Sequence, residues 1–355
     1  MHSRNYGLDL ARCLAVGMVW IMHSIQEIYH TAVPYFWYIS LGGVELFFSL
    51  SGFLIGRILL SLFLNPQFRP RDIPVFWMRR WLRILPLYFV MYFAYLLLYN
   101  LYIYPVRFDI SYLLFLQNIR STPTFFGESW SLSIEEWFYL CVPVIILFFY
   151  YIASLISRKR RAEIAFLSTA FGLILLMIVF RQASAGSGIN HQAVIFRMDA
   201  IAYGLIAAYV SMRIPHLSNR RAVQTIIGGL ALWLAAAILM LSPLIDAHTK
   251  PLYYPMCGIG SAALVLGLYY YSFKRRILFV TYTSKISYSI YLIHLSGVLI
   301  PLSIATLGLS APILFVVWLI SFPFIWILSL LSFKFIELPF LSLRSKLTWK
   351  KEPGR

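Results

Sequence analysis

The chain has 355 residues, of which 61% are hydrophobic and only 12% charged, and its mean hydropathy is +0.77. These values exclude a disordered chain or an ordinary soluble domain and point to a bilayer as the solvent. A net charge of +17 would suggest a nucleic-acid partner in a soluble protein, but here the positions of the cations account for it differently.

Apolar stretches of spanning length fall at 8–28, 36–57, 84–104, 131–155, 163–181, 197–212, 222–241, 252–272, 287–307 and 311–331. They predict an all-α, polytopic bundle of about ten transmembrane helices. The first stretch follows Arg4 but is interrupted by Asp9 and Arg12, and no small-residue cleavage site comes after it, so it reads as a retained helix. Tyr35, Trp37 and Tyr38 open the second stretch and Trp130 the fourth, as interfacial aromatics do. Threaded with the N-terminus inside, the clusters Arg57 to Arg83, Arg158 to Arg161, Arg213 to Arg221 and Lys274 to Lys285 all fall on the cytoplasmic side, with the basic C-terminal tail. Only Arg107, Arg120, Arg181, Arg197 and Lys250 remain outside. That asymmetry predicts cytoplasmic termini, and it assigns most of the charge to topology with no nucleic acid as partner. Residues 1–340 are expected to form one transmembrane domain and 341–355 a basic cytoplasmic tail. Cys13, Cys141 and Cys257 are isolated in apolar surroundings without ligand spacing, so no metal site is expected.

Polar residues inside such stretches are costly and mark candidate sites. Arg12 and His23 lie eleven residues apart on the first helix, on nearly one face and separated by about 16 Å along the axis. Arginine can hold an anionic group and imidazole can take a proton near neutral pH, although a snorkelling arginine and a packing histidine would also fit. Glu45, in the glycine-rich segment GGVELFFSLSGFLIG, needs a partner. Arg79, Arg80 and Arg83 crowd the start of the third span, where they can anchor topology or bind phosphate. The segment WSLSIEEWFYL supplies Trp130, Ser131, Glu135, Glu136 and Tyr139, its adjacent carboxylates facing different sides of a helix or capping its start. Further candidates are Arg197 and Asp199, Tyr288 and His294, and Glu337.

Taken in order from about Tyr6 to Phe340, these segments resemble the membrane-bound acyltransferase 3 family, which O-acylates cell-surface carbohydrates and some small molecules. The resemblance implies a cytoplasmic acyl-CoA donor, most often acetyl-CoA, and no permanently bound cofactor. It implies His23 as the catalytic residue and Arg12 with Arg79, Arg80 and Arg83 as the donor site. On that basis His23 is expected to act as general base on a sugar hydroxyl, with Glu135 or Glu136 orienting the imidazole and Tyr288 stabilising the oxyanion. An acetyl-histidine intermediate is the alternative. The expected acceptor is an envelope carbohydrate such as lipopolysaccharide O-antigen or exopolysaccharide, or a lipid-linked form of it, at a bacterial inner membrane. Glu45 stands where the family more often has aspartate. The stand-alone relatives lack the hydrolase-like domain fused to others, so this chain is expected to complete transfer alone. Two alternatives stay open, a small-molecule acceptor and a proton-coupled transporter or flippase; the paired repeats typical of transporters are not seen.

Overall fold

The computed structural model describes residues 4–30, 34–119, 123, 125–184, 197–242 and 249–347. Arg120, and the side chains of Tyr35, Trp37, Tyr38 and Lys250, lie outside the described residues, as does the tail beyond 347. Among the described residues the chain is helical and contains no strand. Its helices are α1 (Tyr6–Ile28), α2 (Pro34–Leu64), α3 (Asp72–Tyr102), α4 (Ser129–Ile156), α5 (Arg161–Ala183), α6 (Met198–Arg213) and α7 (Asn219–Leu241). They are followed by α8 (Tyr253–Tyr270), α9 (Leu278–Lys285), α10 (Ser287–Ile293), α11 (Ile300–Ala305), α12 (Ala311–Ser332) and α13 (Leu338–Lys346).

Eight stretches among the described residues are long and apolar enough to cross a membrane: α1, α2 from Gly42, α3, α4, α5, α7, the run Ser287–Ala305 and the run Ala311–Lys346. The protein is an integral membrane protein. Of the ten predicted spans, two correspond to helices below that threshold. α6 has only 16 residues, many of them alanine, and α8 carries two tyrosines at each end, Tyr253, Tyr254, Tyr269 and Tyr270. Both are walled in by protein and need little intrinsic hydropathy, because α6 packs on α2, α5 and α8. By contrast α7 and α12 turn aliphatic and aromatic rows outward, among them Leu230, Leu234, Ile238, Leu319, Ile320 and Phe324. Such a surface matches lipid tails and would aggregate in water.

α1 starts at Asn5, whose side-chain oxygen accepts the Leu8 N–H at 3.1 Å. The contact between α2 and α6 depends on the absence of side chains. A Cβ at Gly52 would run into the Ile201 carbonyl and one at Gly204 into the Ser49 carbonyl, so the two backbones touch directly. Two helices are interrupted by wider π turns, His294–Leu299 between α10 and α11 and Phe333–Glu337 between α12 and α13. Such turns insert one residue into a helix and redirect side chains, often at functional sites. Beyond the second one, α13 lies along α3, and Arg79 donates to the Leu347 carbonyl, so the residues just after 340 rest on the bundle.

Candidate active site

One cavity brings together α1, α2, α3, α4 and α10. It contains about 820 Å³ not filled by protein atoms, its open mouth included. Its cations are Arg12 from α1 and Arg80 and Arg83 from α3, which project together because residues 80 and 83 are one turn apart. Its other polar walls are Ser51, Ser131, Glu135, Tyr139, Ser287, Tyr288 and Tyr291. Ser51, Tyr139 and Glu135 form a chain of hydrogen bonds in which the Tyr139 hydroxyl donates to Glu135 Oε2 at 3.0 Å. The guanidinium of Arg80 lies over the Tyr139 ring, 4.5 Å from its centre. Arg12 also lies 3.9 Å from Asp9, which Arg4 pairs at 2.6 Å, so four arginines stand against the carboxylates of Asp9 and Glu135 and leave a cationic surplus that suits a phosphate-bearing ligand.

The two intramembrane histidines meet beside this cavity. His23 Nδ1 lies 2.9 Å from His294 Nε2, with the rings stacked at 25° and 5.1 Å between centres. His294 Nδ1 lies 2.6 Å from the Tyr291 carbonyl oxygen. A carbonyl only accepts, so His294 Nδ1 carries a proton. Among the described residues no carboxylate pairs with either ring, and an imidazolium at this depth would have no counter-charge, so both rings are neutral in the resting state. His294 Nε2 is then a bare acceptor, His23 Nδ1 is its donor, and His23 Nε2 keeps a free lone pair. His23 is partly exposed while His294 is 1% exposed, so the bare nitrogen sits on the accessible member of the pair. Neither histidine lines the cavity. His294 stands next to Tyr291, which lines the cavity and whose hydroxyl bonds Ser131 at 2.6 Å.

Several site residues expected from sequence take other places. The group that orients the His23 imidazole is His294, not Glu135 or Glu136. Glu135 is tied to Tyr139, and Glu136, about 100° further round α4, lines a different groove with Trp81, Phe89 and Trp137. Tyr288 touches the cavity, but its hydroxyl donates to the Ile84 carbonyl at 2.8 Å, so its proton is not available to an oxyanion. Arg79 points to Leu347 and leaves the cavity to Arg80 and Arg83. Trp130 packs edge-on against Phe48 and does not line the cavity. Glu45, Arg197, Arg181 and Asp199 form a separate buried group in which Arg197 pairs with Glu45 and Arg181 with Asp199 at 2.5 Å, with Tyr254 beneath both guanidinium groups. Its charges balance, as a buried cluster requires. Glu337 accepts from Ser289. Sequence reasoning did not single out Glu128 or Ser296, which are bonded to each other next to His294. The only signal for Glu128 was a further carboxylate just ahead of WSLSIEE.

A family profile described as an acyltransferase domain, that of the acyltransferase 3 family, matches residues 5–335. The chain belongs to this family. The matched region holds Arg12, His23, the α3 arginines, Glu135 and His294, all the groups just described around the cavity and the histidine pair. Among curated proteins, a candidate peptidoglycan O-acetyltransferase of Bacillus subtilis is 30% identical over 164 residues, covering 39% of this chain and 24% of that protein. A candidate O-acetyltransferase of Staphylococcus aureus strain COL is 29% identical over 227 residues, covering 58% of this chain and 34% of that protein. The chain thus spans between a quarter and a third of the length of these relatives. No solved structure matches it.

Proposed function

We propose that the chain is a membrane O-acyltransferase that moves an acyl group, most simply acetyl, from a cytoplasmic acyl-CoA to a hydroxyl of an envelope carbohydrate. The observation that carries this reading is a cationic cavity ending beside an imidazole whose Nε2 is left bare by its neighbour. Arg12, Arg80 and Arg83 hold the donor's phosphates, and its thioester arm extends past Tyr291 along α1. The spacing of Arg12 and His23, about 16 Å along the helix, is of the order of an extended pantetheine arm. The names of the relatives favour acetyl over longer chains.

In the reaction His23 Nε2 takes the acceptor's hydroxyl proton as the oxygen attacks the thioester carbon. The tetrahedral intermediate collapses with cleavage of the C–S bond, and the departing thiolate receives that proton from Nε2. Between these steps His23 is an imidazolium, and its Nδ1–H bond to His294 becomes charge-assisted and stronger. A neutral imidazole in this place does what a carboxylate does in a soluble triad, without leaving an unpaired anion among apolar helices.

Inside-out vesicles carrying equal amounts of wild type or His23→Ala, supplied with labelled acetyl-CoA, test the proposal through label in extracted surface carbohydrate. Label that requires His23 supports it. Unlabelled carbohydrate from vesicles whose protein still binds CoA would overturn the carbohydrate acceptor.

A further inference from the structure

The π turn that begins at His294 is held open by side chains from two other helices. In an uninterrupted helix the Ser296 N–H would donate to the Leu292 carbonyl. Here both halves of that bond are taken elsewhere. The Ser296 N–H donates to Glu128 Oε1 at 3.2 Å, and the Leu292 carbonyl accepts the Tyr95 hydroxyl at 2.8 Å. The Ser296 hydroxyl also donates to Glu128 Oε2 at 2.6 Å, so one carboxylate grips one residue twice. The Tyr291 hydroxyl donates to the Glu128 carbonyl at 3.1 Å, which ties the turn before His294 to the same residue. Past the opening, the Ile300 N–H reaches back five residues to the Leu295 carbonyl. Glu128 is 1% exposed and precedes α4, and Tyr95 comes from α3.

We propose that Glu128, Tyr95 and Ser296 are positioning residues that keep this turn open, and thereby keep His294 Nε2 in register with His23 Nδ1. The inference rests on the proposed role of the histidine pair. If the turn closed into regular helix, the Ser296 N–H would reclaim the Leu292 carbonyl. The segments on either side would then rotate relative to each other by about 100°, the angle per residue of an α-helix. His294 stands at the boundary, and a rotation of that size takes its ring away from His23. Burying a carboxylate here is costly, and simple helix packing does not call for one. Holding open a backbone bond that the chain would otherwise close does.

The seven histidines of the chain make the pair accessible to ¹⁵N-histidine spectroscopy of the full protein in lipid nanodiscs. Wild type should show scalar coupling across the His23 to His294 N–H···N bond. Ser296→Ala and Glu128→Gln should lose it with helix content unchanged, and Ser296→Thr, which keeps the hydroxyl, should retain it. In labelled acetyl transfer the first two variants should show kcat reduced on the order of tenfold with the KM for acetyl-CoA within about twofold of wild type. Coupling that persists in both Ser296→Ala and Glu128→Gln overturns the positioning role and leaves the pair intact. Its absence from wild type overturns the pair and the positioning role together. Because the spectroscopic readout needs no acceptor, an error in the acceptor's identity would show only in the transfer assay.

Discussion

His23 takes its hydrogen-bond partner from a segment 271 residues away, and that distance explains what the sequence could and could not convey. The spacing of Arg12 and His23 is legible because both lie on one helix of known period. The choice between Glu135, Glu136 and His294 as partner depends on how α1 packs against α10, which no local pattern encodes. Removing the base, as in His23→Ala, should lower kcat for labelled acetyl transfer by about 10² to 10⁴. His294→Phe leaves the His23 tautomer unfixed and should cost tenfold or more in kcat while binding of acetyl-CoA, followed by calorimetry, stays near wild type. Arg83→Ala should do the reverse, raising the KM for acetyl-CoA with a smaller change in kcat, because a phosphate contact acts in the ground state and the transition state alike.

At the scale of elements, stretches facing lipid were the most legible, because a row such as Leu230, Leu234 and Ile238 has to be apolar on its own account. α6 and α8 were found by the same rule, but their brevity and weak hydropathy follow from neighbours that the rule does not see. The π turns left no mark, since one extra residue barely disturbs a hydrophobic run and shows only in who takes the orphaned backbone bonds. Glycine pairing was partly visible. The run containing Gly52 and Gly56 signalled close approach, and the structure supplies Gly204 as the surface approached. Gly52→Leu should push α2 off α6 and lower Tm by several degrees, the effect of overpacking by about 1–3 kcal/mol. The same substitution at Gly172, where an added Cβ meets nothing within 4 Å, should leave Tm within about a degree of wild type.

For the whole molecule, the arrangement of polar ends follows from the cavity. Arg12, Arg80 and Arg83 line the cavity and the histidine pair stands beside it, with Arg12 and His23 about 16 Å apart along α1, so in the proposed reaction the arginines mark the donor's side. If the arginine end is cytoplasmic, as the cation asymmetry predicts, an alkaline phosphatase fusion after residue 215 should be inactive and a fluorescent-protein fusion at the same point bright. The reverse pair of results would invert the orientation and the direction of transfer.

The balanced group of Arg181, Asp199, Arg197 and Glu45 also constrains how the chain is made. Its members reside on α2, α5 and α6 or at their ends, and so emerge from the ribosome at three separate times. Until the start of α6 arrives, neither Glu45 nor Arg181 has the partner it pairs with in the folded protein, Arg197 for the one and Asp199 for the other, and an ionised residue left so is unwelcome in hydrocarbon by about 2.5–3.5 kcal/mol. The early helices would then linger at the insertion machinery and enter the lipid as a unit. A nascent chain halted just beyond α5 should still cross-link to the translocon, and one long enough to expose α6 should release.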